Sequence, residues 1–96
     1  MLENEVARFA ESRLKPSLML APSGFLYDAR DAESYTLNAT GSCIVRGLLE
    51  GKEPAELWRD LVEEFEVPEA QARWDVVRFL GDLKNMKLLV NGDSTA

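Results

Sequence analysis

Asp28, Asp31 and Glu33 are the first residues of this chain whose type and spacing suit chemistry. Clustered carboxylates hold metal ions or move protons. These three stand in and beside the polar stretch Ala29 to Glu33 (ARDAE). Asp is common in such a turn because its side chain hydrogen-bonds nearby backbone, and the turn accounts for them without any chemistry. Cys43 would be a nucleophile if a helix N-terminus lowered its pKa. The chain has no histidine to act as its base, so a small buried hydrophobe is expected there. The lack of histidine also removes Ser–His–Asp and Cys–His arrangements and the commonest metal ligand. Asn38-Ala39-Thr40 matches the glycosylation sequon by accident, since nothing in the chain indicates secretion. Gly24, Gly41 and Gly47 form no phosphate-binding pattern, and Glu63, Glu64 and Glu66 read as a solvated helix face. No catalytic residue, metal or cofactor is expected, so the chain is read as a binding protein rather than an enzyme.

The bulk properties narrow the partner. A chain of 96 residues with 46% hydrophobic and 29% charged residues is one small domain with a core. Its formal net charge of −6 argues against a nucleic-acid partner, which calls for a basic footprint. The single cysteine cannot form an internal disulfide. The acidic N-terminus is not a signal peptide, and no apolar run approaches the ~18 residues that span a membrane. A cytoplasmic protein is the expectation.

The elements that must position a site follow from periodicity. Leu2, Val6, Phe9 and Leu14 recur near the helical period, so residues 1–15 read as an N-terminal extension, either a docked helix ended by Lys15-Pro16 or a loosely packed segment. Leu18 to Ala21, Phe25 to Asp28 and Ser34 to Asn38 read as three short antiparallel strands with turns between them, with helix as the competing reading of the first run. In the third strand Tyr35 and Leu37 share one face, and Ser34, Thr36 and Asn38 the other. Asn38 then caps a helix running to about Glu50, with Gly51 at its left-handed end. Pro54 opens a second helix with the stripe Leu57, Trp58, Leu61, Val62 and Phe65. Its cap, Glu53, is a weak one.

A third helix follows Pro68, from about Glu69 to Lys87. At ~100° per residue, Ala72, Val76, Phe79, Leu80 and Leu83 fall on one arc, the core face. Ala70, Trp74, Val77, Gly81 and Lys84 make a second row, either covered elsewhere in the chain or offered to a partner. Gln71, Asp75, Arg78 and Asp82 read as ordinary solvated surface. Leu88 to Val90 reads as a short strand and 91–96 as a disordered tail. The domain is therefore placed at 16–90, an α+β fold with a three-stranded antiparallel sheet followed by three helices, similar to a winged helix.

Over about Leu18 to Leu89 the sequence resembles the PqqD family of small peptide chaperones, also called RiPP recognition elements. The resemblance rests on Phe25-Leu26-Tyr27-Asp28, on Tyr35-Thr36-Leu37-Asn38-Ala39-Thr40-Gly41, and on Ile44 with Leu48-Leu49-Glu50-Gly51. It continues through Glu56-Leu57, Leu61 and Phe65-Glu66-Val67 to Asp75-Val76-Val77-Arg78-Phe79-Leu80 with Leu83 and Leu88. The family usually has Thr or Ser where this chain has Glu53-Pro54.

The resemblance implies peptide binding without catalysis. Family members hold the leader of a ribosomally made precursor peptide as an added strand on the third β-strand, in a cleft against the third helix. They present it to a modifying enzyme, in the founding case a radical SAM maturase. In strand addition, main-chain hydrogen bonds supply affinity and side-chain pockets supply specificity. By position, Tyr35, Thr36 and Leu37 are expected to offer the edge. Trp74, Val77 and Gly81 are expected to form the opposite wall, with Arg73 and Lys84 flanking it for a leader carboxylate. The alternative is an interaction domain whose edge and Trp74 row bury a second copy as a homodimer. DNA binding is disfavoured by the acidic charge.

Overall fold

The computed structural model of the chain describes residues 12–91. The order of elements is β1 (Ser12–Leu14), β2 (Leu18–Leu20), β3 (Phe25–Asp28), β4 (Glu33–Thr36), α1 (Ala39–Leu49), α2 (Pro54–Phe65), α3 (Glu69–Asn85) and β5 (Leu89–Asn91). Strands β2, β3 and β4 form an antiparallel sheet in that order, with β3 in the middle. The expected three-stranded sheet followed by three helices is therefore present.

Burial alternates along the sheet as the pleat requires. Leu18, Leu26 and Asp28 are buried, while Met19, Phe25 and Tyr27 on the other face are exposed. Tyr35 and Leu37 are half-buried against the core, and Ser34 and Thr36 are exposed. The core lies between the inner face of the sheet and the helices. Leu26 meets Ile44, Val45 and Leu48 of α1, Leu57 and Leu61 of α2, and Ala72, Val76, Leu80 and Leu83 of α3 in one cluster. The predicted arc of α3 is thus its core face, with Phe79 packed at the margin.

The caps follow the sequence. The Asn38 side chain accepts from the Gly41 N–H at 2.8 Å, satisfying one orphan amide of α1. Gly51 has φ +81, where a Cβ would be strained. The Glu56 carboxylate reaches back to the Glu53 N–H at 2.9 Å, so the entry to α2 is satisfied although Glu53 is a poor cap residue.

The start of the chain departs from expectation. Ser12 to Leu14 is a strand, not the end of a helix. It pairs antiparallel with β5 in the register Ser12↔Asn91, Arg13↔Val90, Leu14↔Leu89. The earlier part of the helix expected over Leu2 to Leu14 lies outside the described residues, as do residues 92–96 of the expected tail. Leu14 and Leu88 are buried in the core cluster, so the folded unit takes in residues placed in the extension. Helical periodicity misled because the strand's partner sits at the far end of the chain, and only that non-local pairing selects the extended form.

Candidate functional site

The outer edge of β4 is the site's starting point. Leu37 N–H donates to Gly24 O at 3.0 Å. In an antiparallel ladder, pairs that exchange hydrogen bonds alternate with pairs that do not. In the register Phe25↔Thr36, Leu26↔Tyr35, Tyr27↔Ser34, Asp28↔Glu33, the backbone groups of Glu33 and Tyr35 are therefore spent on β3, and the Leu37 N–H on Gly24 just before it. The N–H and C=O groups of Ser34 and Thr36 point away from β3. Strand β4 has no neighbour on that side among the described residues. The other side of β3 agrees: Ala21 N–H to Phe25 O at 2.8 Å and Ala29 N–H to Ser17 O at 3.0 Å set the opposite parity. Of the three edge residues expected from sequence, Thr36 offers its backbone. Tyr35 and Leu37 offer only side chains, turned inward. Ser34 was missed, and the pleat alone could not reveal it, since backbone parity is set by the partner strand.

Two anchors hold this edge. At one end Asn38 leads directly into α1. At the other the Lys15 ammonium donates to Asp28 at 2.7 Å and to Asp31 at 2.6 Å. The second Asp28 oxygen accepts from Arg30 N–H at 2.9 Å and Asp31 N–H at 3.2 Å. Asp28 and Asp31 are thus turn braces, as the composition of the loop suggested. Among the described residues no group of three or more His, Cys, Asp or Glu could hold a metal ion. The Lys15 hydrogen bond, with backbone amides adding to it, holds the Asp28 carboxyl far below the usual carboxylate range. The same contacts, Asp28 first and then Asp31, hold Lys15 above its usual range.

The depressed Asp28 pKa makes acid stability testable. Its unfolded value is about 4, so its contribution is complete above about pH 4 and is lost as pH falls from there toward its folded pKa. The raised Lys15 pKa acts at the other extreme, with a contribution lost only as pH rises beyond about 10.5. Urea midpoints measured down from pH 5 are expected to fall for the wild type. In Asp28→Asn they are expected to start lower and fall less.

Helix α3 presents two faces, and they point to different neighbours. Asp75, Arg78, Phe79 and Asp82 share a cleft of about 200 Å³ with Asn38, Thr40 and Gly41 at the start of α1. A Cβ on Gly41 would stand 3.0 Å from Phe79 Cε1, so α1 and α3 touch there. The row Trp74, Val77, Gly81, Lys84 lies roughly 130° around the helix at ~100° per residue. Arg73, beside that row, turns to α2: its guanidinium lies 5.1 Å from the Trp58 ring centroid and 3.7 Å from Glu69. It is therefore already engaged within the fold. Val77 is 4% exposed and Trp74 59%. A Cβ on Gly81 would meet nothing within 4 Å, and Lys84 is exposed with no ion-pair partner among the described residues. The residues facing the start of α1 are thus Asp75, Arg78, Phe79 and Asp82, of which sequence reading assigned three to plain surface.

Elsewhere the chemistry is quiet. Cys43 is buried, its Sγ is 3.7 Å from Glu64, and burial pushes its thiol pKa up. The cleft of about 370 Å³ beside it is lined by charges, of which Lys52 pairs with Asp60 at 2.6 Å and Arg46 with Glu64 at 3.6 Å. Among the described residues no helix is long and apolar enough to cross a membrane.

The fold is similar to two solved structures. One is a lasso peptide synthetase B1 complexed with the leader peptide, at 34% identity and TM-score 0.72, covering 84% of this chain and 99% of that one. The other is TbiB1 in complex with the TbiA(beta) leader peptide, at 26% identity and TM-score 0.72, covering 88% of this chain and 98% of that one. No curated protein matches the sequence. The profile of coenzyme PQQ synthesis protein D matches residues 23–89, within which lie both the β4 edge and α3, and the chain belongs to this PqqD family.

Proposed function

We propose that this protein binds the leader segment of a ribosomally made precursor peptide as a strand added to β4, and presents it to a separate modifying enzyme. The observation that carries the proposal is the open edge of β4, with the backbone of Ser34 and Thr36 turned outward. An unpaired edge is an aggregation liability unless something pairs with it, and a guest strand satisfies it. Two proteins of the same fold carry leader peptides. The role is binding in the cytoplasm, and the chemistry belongs to the partner enzyme, which in the founding case of the family is a radical SAM maturase.

Tyr35 and Leu37 support the inward side chains of the guest from below. The wall is α3. Its Phe79 face is the reading we favour, because it shares a cleft with Asn38, the helix cap two residues past the end of β4. The Trp74, Gly81 and Lys84 row is the competing wall. Val77 is not a usable probe of it, because a charge at so buried a position would disturb the fold itself.

The test is a titration with a synthetic leader peptide of a candidate precursor, followed by backbone amide signals. The Ser34 and Thr36 amides are expected to shift most. Asp82→Lys, an exposed change, is expected to alter affinity several-fold, and Trp74→Ala to leave it near wild type. Sensitivity at Trp74 alone would move the wall to the other face. Real binding with Ser34 and Thr36 unmoved would rule out strand addition.

A further inference from the structure

Lys15 joins parts of the chain that are distant in sequence. Its backbone N–H donates to Leu88 O at 2.8 Å, beside β5, and its carbonyl accepts from Leu18 N–H at 3.0 Å, at the start of β2. Its ammonium reaches Asp28 and Asp31. Asp28, 1% exposed, lies at the end of β3. The loop between β3 and β4 is then braced from within by Asp28 and from outside by Lys15.

That loop delivers the chain to the edge strand under strain. Ala32, its last residue, has φ +59, a left-handed conformation that an alanine rarely adopts. Its N–H donates to Asp28 O at 2.8 Å. The next residue, Glu33, begins β4. Such a conformation persists only where its surroundings hold it. Without the ammonium, the buried Asp28 carboxylate and Asp31 would face one another with no cation between them, and the loop would lose its outer brace. The far end of β4 is fixed independently by Leu37 N–H on Gly24 O and by the Asn38 cap.

We propose that Lys15 is a positioning residue for the guest-strand edge: it clamps the β3–β4 loop so that the outward groups of Ser34 and Thr36 are held in line, and it ties that edge to the β1–β5 ribbon. The proposal rests on the functional reading above for its effect on leader binding, while the clamp itself is testable without a leader.

The experiment compares the full-length wild type with Lys15→Met and Lys15→Arg by amide hydrogen exchange and by titration with the same synthetic leader peptide. The Tyr35 amide, bonded to Leu26 across the ladder, reports the edge strand, and Leu61 and Leu80 report the helical core. In Lys15→Met, protection at Tyr35 is expected to fall roughly tenfold more than at Leu61 and Leu80. Leader affinity is expected to fall about fivefold through the lost preorganisation. Lys15→Arg is expected to recover most of both. Protection lost equally at Tyr35, Leu61 and Leu80, or unchanged at Tyr35, would overturn the proposal. If the leader binds wild type and Lys15→Met equally, the positioning role is lost and the functional reading stands. If wild type binds no leader but Tyr35 loses protection selectively, the functional reading is lost and the clamp stands.

Discussion

Thr36→Pro is expected to weaken leader binding sharply while leaving the fold in place. The Thr36 N–H points away from β3, so proline removes no bond of the β3–β4 ladder. Proline is tolerated on an edge strand where its missing N–H faces outward. Tyr35 is already extended, as a residue before proline must be. The guest strand loses a donor and meets the ring where its own backbone should lie. One hydrogen bond at ~1 kcal/mol and the steric block together predict a loss of roughly 10-fold to 100-fold in affinity. Thr36→Val, which keeps the amide, should bind almost normally. Tyr35→Pro is the opposite control, since it breaks the bond to Leu26 and should unfold the edge. Calorimetric titration with far-ultraviolet circular dichroism on each variant separates these outcomes. Thr36→Pro binding as tightly as wild type would mean that the guest pairs elsewhere.

Two helical glycines should respond to alanine with opposite signs. Gly47 lies in the last turn of α1, and a Cβ there would overlap Leu57 Cδ2 of α2. Leu57 is 1% exposed, so its methyl has little room to yield. Overpacking of this kind costs about 1–3 kcal/mol, against a helix-propensity gain of about 1 kcal/mol. Gly47→Ala is therefore expected to lower stability by about 1 kcal/mol net, and the melting temperature by about 4–8 °C. Gly81 is also helical, but its Cβ would enter open space. Gly81→Ala should raise stability by about 0.5–1 kcal/mol. Thermal melts read both. Stabilisation by Gly47→Ala would mean that α1 and α2 stand farther apart than Gly47 implies.

The glycines also show why some features could be read from sequence and others could not. Gly51 sits past a periodic run, so its left-handed role was legible. Gly47 lies inside such a run, and nothing local says that Leu57 will stand against it. The three-strand meander, the Asn38 cap and the core arc of α3 were legible for the same local reason. Period-two and period-3.6 patterns state which residues share a face. They do not state what that face will meet.

The edge of β4 divides along the same line. By itself the sequence determined that a short alternating strand, with Tyr35 and Leu37 on one face and Thr36 on the other, runs into a capped helix. It also determined that the chain has no histidine, one cysteine and a net charge of −6. Only the tertiary structure decided that Ser34 and Thr36 carry the free backbone groups, because hydrogen-bond parity is set by which residue of β3 lies opposite. It turned Arg73 onto Trp58 and brought Phe79 beside Gly41, because the phase of a helix is fixed by the elements packed around it. It made a strand of Ser12 to Leu14 because the partner is β5, at the other end of the chain. Local patterns are properties of neighbouring residues, whereas register, helix phase and non-local pairing arise only when distant segments are in contact.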